Sequence, residues 1–173
     1  MIIMFVRHAE AKNDKITDFG KKQLLMAKKE NESFEFAKIY SSPLNRCVAT
    51  AKAFQEKFSV DLEVLDGLKD RELLEHRKPQ NEDEEEWYEN YLNPMFSHDK
   101  PEGCKEFLAR NFTQFKRVIN KHIDNDENIV LVAHSGTFYA LLAYVNGVYK
   151  NKFINWYRIG TCSKVYFEIN ERI

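Results

Sequence analysis

The residues that could do chemistry cluster at the ends of short apolar runs. Ile2-Ile3-Met4-Phe5-Val6 is followed at once by Arg7-His8, and Ile129-Val130-Leu131-Val132-Ala133 by His134. A run ending in a cation and an imidazole delivers both side chains to one end of a sheet. In open α/β folds the carboxyl ends of parallel strands are where ligands bind. Arg46 falls in the first turn of a helix that Ser42 and Pro43 suit as N-cap and N1, directly after the run Ala37-Lys38-Ile39-Tyr40. If the sheet is parallel, Arg7, His8, Arg46 and His134 converge. Two arginines and two histidines without a metal-type carboxylate beside them describe an anion site, most naturally one for phosphate, because guanidinium groups offer planar paired donors to its oxygens. Helix N-termini at Pro43 and near Gly136 would add backbone N–H groups.

An imidazole is also a capable nucleophile when one ring nitrogen is free and the other donates a hydrogen bond. Neighbouring cations disfavour its protonated form and would stabilise the equatorial oxygens of a phosphoryl group in transfer. A leaving alkoxide then needs a proton from the opposite side. Asp70, Glu72 and Glu75, after the third strand, are the candidates.

The elements that must position these groups alternate β with α. A polar loop follows the first strand, and Thr17-Asp18-Phe19-Gly20 leads into a helix running to about Glu30. Residues 37–40 form a short second strand. The helix opened by Pro43 carries an inward stripe of Leu44, Val48, Ala51, Phe54 and Phe58. Residues 60–65 are the third strand, and Leu108, Phe112, Phe115, Ile119 and His122 line one face of a helix from about Lys105. Strand 129–133, a helix over about 137–145 and a last strand over 164–169 complete one α/β domain with a mostly parallel sheet. Between Asp66 and Pro101 periodicity weakens. Residues 80–90 hold Glu82, Asp83, Glu84, Glu85, Glu86 and Glu89 beside Trp87, Tyr88 and Tyr91. A solvated helix with an aromatic edge is the plain reading of that stretch, and a lid over the site the functional one. Placed beside the pocket, its carboxylates would favour a monoester with a neutral or cationic remainder.

Composition narrows the partners. The chain has 173 residues and a formal net charge of -1, which argues against a nucleic-acid surface. No stretch reaches the roughly 20 apolar residues of a membrane span, and the N-terminal run is too short for a secretory core. Cys47, Cys104 and Cys162 are far apart, without C-x-x-C spacing, and read as reduced thiols of a cytoplasmic protein. Nothing in the sequence nominates a histidine partner for a catalytic cysteine. His76, His98 and His122 look unremarkable, His122 being a core or helix-end histidine. A metal site on His8 and His134 finds no supporting carboxylate or cysteine spacing. Oligomeric state is not readable.

Four blocks, in order, make the chain resemble the histidine phosphatase superfamily, in its phosphoglycerate mutase-like branch 1. They are Val6-Arg7-His8-Ala9-Glu10; Ile16-Thr17-Asp18-Phe19-Gly20-Lys21-Lys22-Gln23; Ser41-Ser42-Pro43-Leu44-Asn45-Arg46 with Thr50-Ala51; and Val130-Leu131-Val132-Ala133-His134-Ser135-Gly136. The resemblance implies a three-layer fold, helices on both faces of a mostly parallel central sheet, with a helical, lid-like insertion at about 71–103 after the third strand. It implies that His8 becomes phosphohistidine and that Arg7, Arg46 and His134 form the phosphate pocket. Asn13 lies near where the family has an Asn reaching the phosphate, one residue short of the usual offset, which Asp14 occupies. Leu68-Lys69-Asp70-Arg71-Glu72 aligns with the family's Leu-x-Glu block and puts Asp70 at the general acid, with Glu72 in reserve. Cys104 and Lys105 depart from the family's Gly-Glu-Ser block.

The activity so implied is that of a metal-independent, cofactor-free phosphoric monoester hydrolase of the histidine acid phosphatase type, acting on a small phosphorylated metabolite. A phosphoglycerate-type mutase would need a larger chain with more lid. Compact phosphohistidine protein phosphatases tend to lack a clear acid and the middle insertion. A non-catalytic phospho-ligand binding module is the reading from another class, although both histidines and both arginines are retained.

Overall fold

The structure is a computed structural model that describes residues 1–71, 102–147 and 159–171. Five strands form one sheet in the order β5-β4-β6-β1-β7, made of β1 (Ile2–Arg7), β4 (Lys38–Ser41), β5 (Asp61–Val64), β6 (Ile129–Ala133) and β7 (Lys164–Glu168). The β1, β4, β5 and β6 pairings are all parallel, and β7 closes antiparallel on β1. The expected mostly parallel central sheet is therefore present.

Alternation along the central strands explains why helices cover both faces. On one face Ile3, Phe5, Ile129, Leu131 and Ala133 pack with α3 (Cys104–His122) and α4 (Ser135–Val145) through Phe115, Ile119, Phe138 and Leu141. On the other, Met4, Val6, Val130 and Val132 pack with α1 (Asp18–Lys29) and α2 (Asn45–Phe58) through Ala27, Cys47, Ala51 and Phe54. Strands buried on both sides read as continuous apolar runs, and β6 is buried at all five positions. No helix among the described residues is long and apolar enough to cross a membrane.

Two local features differ from expectation. The polar loop after β1 contains a small hairpin, β2 (Ala11–Lys12) with β3 (Lys15–Ile16). The helix expected at Pro43 begins two residues later, with Leu44 at its N-cap and no side-chain cap of its own. The cause is visible in the ladder. The Ser42 N–H continues the β4–β6 pairing to the Val132 carbonyl at 2.9 Å, which keeps Ser42 extended. The inward residues of α2 are Cys47, Thr50, Ala51, Ala53 and Phe54. The segment 72–101, with Glu72, Glu75, His76, His98 and the acidic stretch 82–89, lies outside the described residues, as does the question of a lid.

Candidate active site

Parallel pairing of β4, β6 and β1 brings their carboxyl ends side by side. The His8 N–H donates to the Ala133 carbonyl at 3.0 Å, so the ladder runs one step past β1 and fixes where His8 leaves the sheet. His134 follows β6 at the N-cap of α4. The two imidazoles meet edge to face, with ring centroids 5.3 Å apart.

The loop carrying His8 is braced by α1. Thr17 caps that helix by accepting from the Gly20 N–H at 3.0 Å. Gly20 passes so close to the Glu10 backbone that a Cβ there would lie 2.2 Å from the Glu10 carbonyl oxygen. Gln23 accepts from the Glu10 N–H at 2.8 Å and donates to the Thr161 carbonyl and hydroxyl at 3.1 and 2.9 Å. The Thr-x-x-Gly-x-x-Gln spacing is thus a device for holding the loop after β1. From the other side the Cys162 N–H lies between the Arg7 and His8 carbonyls, at 3.0 and 3.1 Å. Thr50 of α2 accepts from the Ala9 N–H at 3.0 Å.

Arg46 is the hub. Its Nε donates to His8 Nε2 at 3.2 Å, and its Nη2 lies 3.2 Å from His134 Nδ1. Its Nη1 donates to Asp14 Oδ1 at 3.0 Å, and Nη2 lies 3.5 Å from Asp70 Oδ2. His8 Nδ1 sits 2.8 Å from the Ala9 carbonyl oxygen, which can only accept; this selects the tautomer with the proton on Nδ1 and the lone pair on Nε2. Burial lowers the His8 pKa to about 4; the Ala9 carbonyl opposes that shift, and the Arg46 and Arg7 charges add to it. Burial, then Arg46, also holds His134 well below the usual histidine range. Both rings are neutral at physiological pH.

His134 Nε2 lies 2.7 Å from Ser42 Oγ and 3.4 Å from Cys47 Sγ. The sequence nominates no histidine partner for a cysteine, and it is the packing of α2 beside β6 that brings Cys47 and His134 together. Cys47 is nonetheless no nucleophile: it is fully buried, and burial pushes its thiol far above the usual range. Ser42, read as a helix cap, instead orients the second histidine.

Arg7 sends Nη1 to the Ile159 carbonyl at 2.5 Å, while its buried Nε has no partner among the described residues. Its charge is felt at His8, Asp70 and His134. Asp70 stands across the site, with Oδ2 3.6 Å from His134 Nδ1. Burial raises its pKa despite Arg46, the Arg71 N–H and Arg7. Asp70 is held in place by a clamp the sequence did not suggest. Arg110 of α3 donates to the Gly67 and Lys69 carbonyls at 2.9 and 2.8 Å and pairs with both Glu102 oxygens at 2.7 and 2.6 Å.

The structure thus gathers Arg7, His8, Arg46, Asp70 and His134. Asn13 is exposed at the hairpin tip, and its neighbour Asp14 is the residue that reaches Arg46. The first-turn amides of α2, expected to face an anion, go to Asp14: Asn45 N–H at 2.9 Å and Arg46 N–H at 3.2 Å. His122 is structural, bridging Tyr40 Oη at 2.7 Å and Glu127 at 2.6 Å.

The site is thus a strand-end pair of neutral imidazoles joined by the Arg46 guanidinium. Residues 3–172 match the histidine phosphatase superfamily (branch 1), and the chain belongs to that family. A protein of Hydrogenobacter thermophilus that carries the provisional name phosphoserine phosphatase 2 is 26% identical over 163 residues, covering 84% of this chain and 79% of that one. Among solved structures, YhfR of Bacillus stearothermophilus superposes with a TM-score of 0.79 at 17% identity, covering 99% of this chain and 92% of the other. A mycobacterial glucosyl-3-phosphoglycerate phosphatase gives 0.74 at 18% identity, covering 95% and 88%. At such identities these structures establish a shared fold. Family and relatives together support a phosphatase.

Proposed function

We propose that the protein is a metal-independent phosphomonoesterase that works through a phosphohistidine on His8, with a small phosphorylated metabolite as substrate. The observation that carries this reading is the His8 ring: Nδ1 engaged by the Ala9 carbonyl, Nε2 aimed at the arginine that would clamp the phosphate. His8 Nε2 attacks phosphorus in line, forming the N–P bond as the ester P–O bond breaks. Arg7 and Arg46 spread over the equatorial oxygens, supplying the positive charge that the transition state needs. Neutral His134, oriented by Ser42, adds a hydrogen bond to that group. Asp70 delivers its proton to the departing alkoxide, then takes one from the water that cleaves the N–P bond, restoring His8 and releasing inorganic phosphate. A raised Asp70 pKa suits this alternation, since the acid form persists further towards neutrality.

The relatives are named for small phosphomonoesters, which supports a metabolite as substrate. Incubation with a 32P-labelled phosphomonoester, followed by denaturation, should trap label that survives base and is lost in acid. His8→Ala should carry no label and lose turnover. Turnover persisting in that variant would overturn the mechanism.

A further inference from the structure

The hairpin β2–β3 has a two-residue tip. Lys12 pairs with Lys15, and between them Asn13 and Asp14 have φ of 49° and 60°. Two successive left-handed residues make the turn whose twist matches a tight hairpin, and Asn and Asp tolerate that backbone better than other non-glycine residues. The turn sets Asp14 against α2, where Oδ2 accepts from the Asn45 N–H and Oδ1 from both the N–H and Nη1 of Arg46. Each guanidinium nitrogen of Arg46 thereby has a neighbour: Asp14 at Nη1, His8 at Nε, His134 and Asp70 at Nη2.

We propose that Asp14 is a positioning residue that competes with the phosphoryl group for Arg46, holding the guanidinium in register while weakening the pocket's grip on a doubly charged phosphate more than on a singly charged one. This rests on the pocket being a phosphate site. The argument is one of charge. Arg7 and Arg46 bring positive charge and the neutral imidazoles none, so the Asp14 carboxylate on Arg46, beside that of Asp70, lowers the positive field that an incoming anion meets. Its repulsion scales with the ligand's charge, and therefore doubles when phosphate loses its second proton. The consequence for turnover is release: inorganic phosphate, the product, leaves a pocket that does not hold its dianion tightly.

The groups facing Asp14 are Arg46 and the Asn45 and Arg46 amides from α2, with His8 and Cys47 within electrostatic reach. Burial works against its charge, but those amides and the guanidinium hold its carboxyl below the ordinary range. Asp14 is thus an anion throughout the pH range in which phosphate changes charge. Asp70, whose pKa burial raises, is present in all three proteins, and each variant is compared with wild type at the same pH.

The test is calorimetric binding of inorganic phosphate to the intact protein, to Asp14→Asn and to Asp14→Ser. It is run on either side of the ligand's second ionisation, at about pH 5.5 and about pH 8.5. Both variants lose the charge and keep one oxygen able to accept from an α2 amide; Asn puts a donor where Asp14 has its second oxygen, and Ser is shorter, so agreement between them isolates the charge. Each should bind phosphate about fivefold more tightly than wild type at the lower pH and about 25-fold more tightly at the higher, the logarithm doubling with ligand charge. Equal or weaker binding in both variants, or the same factor at both pH values, would overturn the proposal while leaving the pocket reading intact. If none of the three proteins binds phosphate, the pocket reading itself falls and takes this one with it.

Discussion

Asp70 shows how one side chain can be costly to the fold and useful to the reaction. Its carboxylate sits within 3.6 Å of both Arg46 and His134, yet burial raises its pKa above the ordinary 3.8. A carboxyl whose pKa is higher folded than unfolded contributes stability below the unfolded value and loses it as pH rises through the folded one. At neutral pH Asp70 is therefore a liability to the fold. Asp70→Asn, which can still accept from the Arg71 N–H, should raise unfolding free energy by about 1 kcal/mol near neutrality. The gain should shrink towards zero as pH falls below the ordinary carboxylate range, and urea denaturation across that range checks it. The same substitution should cut kcat on alkyl phosphates by about 10²–10⁴-fold, the span of general acid–base catalysis. The loss on p-nitrophenyl phosphate should be much smaller, because that leaving group hardly needs a proton. An equal loss on both would remove Asp70 from the acid's role.

Elements act here as braces for side chains they do not themselves carry. Helix α1 contributes no group to the site, yet Gly20 and Gln23 fix the backbone that follows His8. Adding a methyl at Gly20 forces it into a backbone oxygen that cannot rotate away. Gly20→Ala should therefore cost about 1–3 kcal/mol, as overpacking does. It should also lower kcat by displacing the His8 loop; denaturant titration and steady-state kinetics report the two effects separately. The strand ends that carry Arg7, His8 and His134 are legible in the sequence because a doubly covered strand is an unbroken apolar run and its last residue must emerge at the sheet's edge. Asp14 is not legible in that way. Its tip holds no glycine to flag a hairpin, and only the tertiary approach of β2–β3 to α2 makes it a cap. The Ser42–His134 and Cys47–His134 contacts depend on β4 lying beside β6, and lateral strand order is set by pairing far apart in the chain. For the same reason Arg110 shows nothing locally of its clamp on the Asp70 turn.

At the scale of the molecule, the chain's end is folded back onto its beginning. The Met1 amino group donates to the Ile169 carbonyl at 2.9 Å, β7 lies along β1, and residues 159–163 hold Arg7 and His8. Beyond β7, on the face that carries α1 and α2, this closure is tied by a charge cluster. Glu32 receives Lys164 and the Tyr166 hydroxyl from β7 and Lys57 from the end of α2, while Lys164 also reaches Glu30 at 2.6 Å and Lys57 donates to the Ala27 and Glu30 carbonyls. The Glu32 side chain is only 7% exposed, and Lys164 9%, so solvent screens the pair weakly. Burial opposes the Glu32 charge, but hydrogen bonds from Lys164, Tyr166 and Lys57 win and hold its pKa below the ordinary carboxylate value. A depressed folded pKa gives stability that is present above the unfolded value of about 4.5 and lost as pH falls through the folded one, the opposite sign to Asp70. Glu32→Gln should therefore cost about 1.5–3 kcal/mol near neutrality, the range for hydrogen bonds to a charged group. The difference from wild type should narrow as pH drops below 4.5. Because the cluster ties down β7, and through it the segment against Arg7 and His8, the variant should exchange the Cys162 and Ser163 amides faster at neutral pH. Hydrogen exchange that is raised uniformly over the sheet, or a penalty that persists unchanged into acid, would show that Glu32 acts by packing and not by its charge.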